Sequence, residues 1–191
     1  MISHINGRLV EKTPTYVVID CSGVGYKLHI SLQTYTAIHT ENCKLLTHLS
    51  VKEDSHTLYG FYTSNERELF RHLISVSGVG PSTARMILST YSADEIVHYI
   101  ISADVGAIQN VKGIGGKTAQ RIIIDLKDKV GKGKESSDLL FTQDNTIKEE
   151  ALSALLALGF TKKAAEKKME QVFKYHAGEI TVEDLVRKSL G

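Results

Sequence analysis

Apolar and polar positions alternate along residues 1–63 and change period after them. The runs INGRLVE, YVVID, YKLHI, CKLLTHLSV and HTLYGFY are short, alternating, and rich in β-branched and aromatic residues. That is the period of a strand with one buried face. Thr13-Pro14-Thr15 and Ser22-Gly23-Val24-Gly25 supply turn residues between the first three runs, and Gln33 to His39 fits one helical turn. Five strands in so short a stretch predict a small β-barrel, with a small β-sandwich left open by pattern alone.

From residue 64 the spacing is helical. Ser64-Asn65-Glu66 opens a helix with Leu69, Phe70, Leu73 and Ile74 on one face, and Gly78 stops it. Ser92 and Glu95 stand at capping-box spacing ahead of IVHYIISA, and KTAQRIIIDLKDKV reads as a further helix. Residues 131–145, GKGKESSDLLFTQDN, lose periodicity and gain Gly, Ser and charge. They predict a flexible linker reaching roughly 20 Å root-mean-square, with Asp138 to Phe141 as an apolar island inside it. Residues 146–191 predict three helices: one through Ile147, Ala151, Leu152, Leu155, Leu156 and Leu158, ended by Gly159; one capped by Thr161; and one opened by Thr181. So short a helical unit is marginal alone and suits the display of an apolar patch to a partner.

One phrase in the helical region occurs twice. Val76 to Leu88 reads VSGVGPSTARMIL and Val111 to Ile123 reads VKGIGGKTAQRII, matching at six of thirteen positions. Each copy places two glycines around one apolar residue, with a helix before and a helix immediately after. Glycine permits positive φ and close approach of another molecule. The free amides of the following helix, with the positive end of its dipole behind them, then form an anion site made of backbone. A dinucleotide fingerprint fails because residues 83 and 118 are both Thr, and a P-loop fails because the position five before Gly116 is Val111. The alternative is a pair of ordinary helix–turn–helix corners, which the repetition of the phrase disfavours. Lys117 and Arg121 lie four apart on one helix face. Cations so near a helix start oppose its dipole, a broken local rule that points to function.

Composition narrows the classes. The chain is 42% hydrophobic and 24% charged with a net charge of +1, and neither end nor middle is markedly basic. A binder that works by a basic blanket is therefore disfavoured, so any phosphate binding must come from local geometry. No apolar run approaches the eighteen or so residues of a membrane span, and the N-terminus lacks the apolar block of a signal peptide, so no membrane association and a cytoplasmic location are expected. Cys21 and Cys43 read as two thiols rather than a disulfide framework, and the scattered histidines give no metal spacing. Neither a metal nor a cofactor is expected.

The paired Gly-x-Gly corners resemble tandem helix–hairpin–helix motifs, which bind DNA backbones without reading sequence. Their place between a barrel carrying GVGYKLHI and VKEDSHTLYGF and a small helical tail is similar, along the whole chain, to the RuvA family of Holliday-junction-binding subunits. The resemblance implies an α+β multidomain fold. Residues 1–63 would form an OB-like barrel at the centre of a homotetramer, or of an octamer. Residues 64–130 would hold the two helix–hairpin–helix motifs, 131–145 the linker, and 146–191 a UBA-like three-helix domain.

For the DNA phosphates the resemblance implies Gly78, Val79, Gly80, Ser82 and Thr83 in the first motif. In the second it implies Lys112, Gly113, Ile114, Gly115, Gly116, Lys117, Thr118 and Arg121. The family often has Lys where this chain has Ser82, and a second Lys where it has Gly116, so a shallower salt dependence of binding is expected. Glu53 and Asp54 would form an acidic pin that repels phosphates at the junction centre. Leu155, Leu158, Phe160 and Leu185 are candidates for contact with the RuvB ATPase, and the RuvC resolvase is a further partner. On this reading the chain is not itself an enzyme. The competing classes are a helix–hairpin–helix repair enzyme, glycosylase or nuclease, and a general architectural DNA-binding scaffold. Adjacent Glu53 and Asp54 would face opposite ways in a regular strand, which disfavours a nuclease metal site.

Overall fold

The computed structural model describes residues 2–131, 143–175 and 180–190. The chain divides into two compact units, residues 1–134 and 135–191. In the first, five strands close into a barrel: β1 (His4–Lys12), β2 (Tyr16–Cys21), β3 (Val24–His29), β4 (Asn42–Val51) and β5 (His56–Phe61). Their order around the barrel is β1-β2-β3-β5-β4. All neighbours are antiparallel except β3 and β5, which run parallel with Leu28 opposite Leu58 and His29 opposite Tyr59. The alternating pattern is realised as a closed OB-like barrel with Val17, Ile19, Leu28 and Leu45 fully buried inside it. At Gly7 a Cβ would stand 2.2 Å from the Asp20 carbonyl oxygen, so β1 tolerates no side chain there.

A short helix, α1 (Leu32–Ala37), joins β3 to β4. Ile30 and Ile38, on either side of it, are buried in the barrel core. The helices of the first unit follow β5: α2 (Ser64–Ile74), α3 (Pro81–Thr90), α4 (Ala93–Ile101), α5 (Val105–Gln109) and α6 (Gly116–Gly131). Local sequence sets their starts. Thr63 caps α2 by accepting from the Glu66 amide at 3.2 Å, and Ser92 with Glu95 completes the expected capping box of α4. Helix α2 ends at Ile74, earlier than the Gly78 stop expected from spacing, because the next residues fold into a hairpin.

The outward side chains of β5, Tyr59 and Phe61, join the helical core rather than the barrel core. Phe70 of α2 lies fully buried between them, its ring centroid 5.1 Å from Tyr59 and 4.9 Å from Phe61. Truncating such a residue costs about 3–5 kcal/mol, so this contact helps fix the helices on the barrel. Polar groups complete the joint. Glu66 of α2 is buried and accepts hydrogen bonds from the hydroxyls of Ser31 and, at 2.6 Å, Thr34. Arg85 of α3 donates to the carbonyls of Thr15 at 3.1 Å and Ile30 at 3.2 Å.

The second unit holds α7 (Gln143–Ala157), α8 (Lys162–Tyr175) and α9 (Val182–Leu190) around Ala151, Leu155, Ala165, Met169, Ile180 and Leu185. Gly159, with φ +94°, ends α7. The Phe160 amide donates to the Leu155 carbonyl at 3.1 Å and the Gly159 amide to the Leu156 carbonyl at 3.0 Å, the Schellman pattern that glycine makes accessible. Gly131 still belongs to α6 and Gln143 already to α7. The rest of the stretch read as a linker lies outside the described residues, including the Asp138 to Phe141 island.

Candidate nucleic-acid interface

The two copies of the repeated phrase fold into the same object. In each, a valine closes the preceding helix: the Val76 amide donates to the Leu73 carbonyl at 3.1 Å and the Val111 amide to the Ile108 carbonyl at 3.3 Å. The first glycine then turns the chain with almost the same angle, φ +91° at Gly78 and +92° at Gly113. The apolar residue between the glycines folds back, Val79 donating to Val76 at 3.0 Å and Ile114 to Val111 at 3.1 Å. Finally the second glycine opens the next helix by accepting its first bond, from Ala84 at 2.9 Å in one copy and from Ala119 at 3.0 Å in the other.

This explains which letters repeat. Val76 and Val111 and the alanines at 84 and 119 are buried, as are Val79 and Ile114. They anchor each hairpin in the helical core. The glycines between them stay exposed or half-exposed. The side chains of Val79 and Ile114, both expected beside phosphate, are buried in the core, and their amides are engaged in the turn, so they anchor the hairpins.

What remains free is the start of each helix. The amides of Gly80, Ser82 and Thr83 have no hydrogen-bond partner among the described residues, and the same is true of Gly115, Gly116, Lys117 and Thr118. Pro81 has no N–H, so the second hairpin presents one donor more than the first at equivalent positions. The first helix-starting glycine offers no side-chain cap to α3. A Cβ built at Gly80 or at Gly115 meets nothing within 4 Å. Gly80 has φ −85° and ψ 169°, a conformation open to any residue. No contact among the described residues therefore demands glycine at these two positions. Unpaired amides at helix starts suit an anion.

Side chains frame this surface unequally. Ser82, Lys112 and Lys117 are exposed beside the amides and Thr83 and Thr118 are half-buried. Arg121 is exposed, but its guanidinium donates to the Ser77 carbonyl of the first hairpin at 3.2 Å. Glu53 and Asp54 lie at the tip of the hairpin joining β4 to β5. The turn is closed by the Lys52 amide donating to the Ser55 carbonyl at 2.8 Å, and Val51 and His56 pair at its base. Both carboxylates are exposed; they sit on a turn, not on a regular strand.

In the second unit, two of the four leucine and phenylalanine candidates for a partner surface, Leu155 and Leu185, are fully buried and form part of the three-helix core. Leu158 is 58% exposed, and Phe160 is half-buried with the Lys168 ammonium 5.7 Å from its ring centroid. Leu156 and Leu190 are also exposed.

Sequence reasoning missed the groups that hold barrel and helices together. Glu66 reads locally as an ordinary helix-start residue, yet its partners Ser31 and Thr34 are 35 and 32 residues away. Arg85 reaches carbonyls 70 and 55 residues away. No local signal announces such pairs.

An OB-like barrel followed by two equivalent hairpins with open amide nests defines a tandem helix–hairpin–helix protein of the nucleic-acid-binding class. Comparison with known proteins makes the assignment specific. Residues 1–60 match the RuvA N terminal domain, residues 70–128 the SAM-like helix-hairpin-helix tandem, and residues 146–191 the RuvA C-terminal domain. The Holliday junction branch migration complex subunit RuvA of Christiangramia forsetii is 54% identical over 191 residues, covering all of this chain and 98% of that protein. The subunits of the same name from Flavobacterium psychrophilum and Cytophaga hutchinsonii are 53% and 45% identical, again covering all of this chain and 98% of each relative. The chain belongs to the RuvA family.

Proposed function

We propose that this chain binds four-way junction DNA through its phosphates, without reading base sequence, and presents the junction to the RuvB ATPase for branch migration in recombination and repair. The observation that carries this reading is the pair of hairpins whose free amides face open space at glycines the fold itself does not require. A backbone nest binds phosphate wherever the duplex supplies it, so it is indifferent to base identity. Each chain offers one pair of nests and so suits one duplex arm. Four arms then call for four copies, either as a homotetramer or as two such rings in an octamer, which is the closed symmetry expected of such an assembly.

The remaining features have roles in this scheme. Glu53 and Asp54, brought together at the junction centre, repel phosphates and favour an open crossover over plain duplex. Lys112 and Lys117 add charge to the second nest. The three-helix unit engages the motor through residues such as the exposed Leu158 and the half-buried Phe160. The chain supplies binding and geometry while the motor supplies ATP hydrolysis, and the RuvC resolvase acts on the held junction. Among the described residues no helix is long and apolar enough to cross a membrane, and the cytoplasm is the proposed site of action.

The test is a gel-shift series on junction, linear duplex and single strand, with assembly size measured alongside. Wild-type protein should prefer the junction; equal affinity for duplex would instead support a general scaffold. Gly80→Val with Gly115→Val should leave Tm within about 4 °C per substitution, since an extended residue before Pro81 accepts a β-branched side chain. Losing charge-assisted amide contacts should weaken junction binding by roughly 10–100-fold. Undiminished binding by the folded variant would overturn the proposal.

A further inference from the structure

The two hairpins are equivalent in backbone but not in what lies behind them. Aligning the repeated phrase puts Met86 where the second copy has Arg121. Met86 is 42% exposed. Arg121, one turn and a half into α6, instead crosses to the other hairpin and donates to the Ser77 carbonyl at 3.2 Å. That carbonyl has no other partner among the described residues, and it immediately precedes Gly78, where the chain takes its positive φ. Side chains on a helix lean toward its N-terminus. The N-terminus of α6 is the second nest, so Arg121 reaches forward alongside one nest and grips the turn of the other. It makes no other hydrogen bond and no ion pair among the described residues.

We infer that Arg121 is a positioning residue, which ties the first hairpin to the second nest so that both meet the phosphates of one duplex arm at a fixed separation. This rests on the junction-binding reading above and changes the role expected for Arg121, from phosphate ligand to link between the phosphate-binding elements. The physical gain is that of joining two weak sites. When the spacing is fixed in advance, engagement of the first nest brings the second into place and its contacts follow without a separate ordering cost. Without the tie, the Ser77-Gly78 turn is held only by its own short-range bonds, and glycine at the turn leaves it easy to distort.

The experiment compares Arg121→Met, the residue present at the equivalent place in the first motif, with Lys117→Gln. Amide hydrogen exchange in the DNA-free protein should quicken several-fold over residues 77–83 in Arg121→Met and stay at the wild-type rate in Lys117→Gln, with Tm unchanged in both. Junction affinity of Arg121→Met should fall about tenfold at every salt concentration with the log-log salt slope unaltered. Lys117→Gln should instead reduce that slope by about 0.9, as loss of one phosphate contact does. In the Arg121→Met background, the further loss from Gly80→Val should shrink while that from Gly115→Val should not, since residues that act through one another are non-additive. A slope reduced by about 0.9, unchanged exchange and additive losses would make Arg121 a phosphate ligand and overturn the inference. Absence of any junction preference in the wild-type protein would sink the functional reading, yet exchange in the free protein would still decide whether Arg121 holds the hairpin.

Discussion

Glu66 places a carboxyl group in the seam where α2 meets the barrel, and burial raises its pKa above the usual carboxylate value of 4.5 while the Ser31 and Thr34 hydroxyls and the Tyr62 backbone pull it back down. Because the folded-state pKa is raised, the folded chain holds the proton more tightly than the unfolded chain does. The stability this confers is fully present below about pH 4.5 and is lost as pH rises through the raised value. The Tm of the wild type minus that of Glu66→Gln should therefore fall as pH rises from 4.5 towards neutrality. A difference that stays flat with pH would mean that the carboxyl titrates as it does in the unfolded chain. The hydroxyls also explain why a charged residue is tolerated here at all: each accepts from a backbone amide, Ser31 from Thr34 at 3.0 Å and Thr34 from Tyr62 at 3.0 Å, which aims its own proton at the carboxylate.

At the scale of elements, the hairpin between β4 and β5 carries two adjacent carboxylates with Ser55 donating to Asp54 at 3.3 Å. The turn is held by backbone bonds, so charge can be removed without disturbing shape. Glu53→Gln with Asp54→Asn should leave Tm unchanged and raise affinity for linear duplex relative to junction, as a competition gel shift would reveal; unchanged selectivity would deny the pin its role. The helix–hairpin–helix elements make the complementary case. On the proposed reading their binding groups are backbone amides, with Lys112 and Lys117 as exposed cations beside the second nest and uncharged Ser82 and Gly116 at the helix starts. A junction titration should thus show a shallower salt slope than that of a relative with lysines at both positions. An equal or steeper slope would return the weight of binding to side-chain charge.

For the whole molecule, the division into two units carries the proposed division of labour. The nests and the pin hairpin all belong to residues 1–134, and the second unit has its own closed core around Leu155 and Leu185. Truncation after Lys134 should spare junction binding and remove stimulation of the motor's ATPase and branch migration. A truncated chain that no longer binds junction would show that the tail takes part in DNA capture.

The repeated Gly-apolar-Gly phrase, the alternation of the five strands and the caps at Ser92, Thr161 and Thr181 were legible in the chain because each depends on residues within a few positions of one another. Backbone conformation, helix starts and burial periodicity are local properties, and local sequence determines them. Tertiary structure alone decided which amides of the hairpins stay free, that the Val79 and Ile114 side chains anchor the hairpins, and that Leu155 and Leu185 are core. It also decided that Glu66, Arg85 and Arg121 join elements distant in sequence. Those outcomes depend on which surfaces meet, and in a chain of near-zero net charge the letters of an exposed and a buried leucine, or of a solvated and a bridging arginine, are the same.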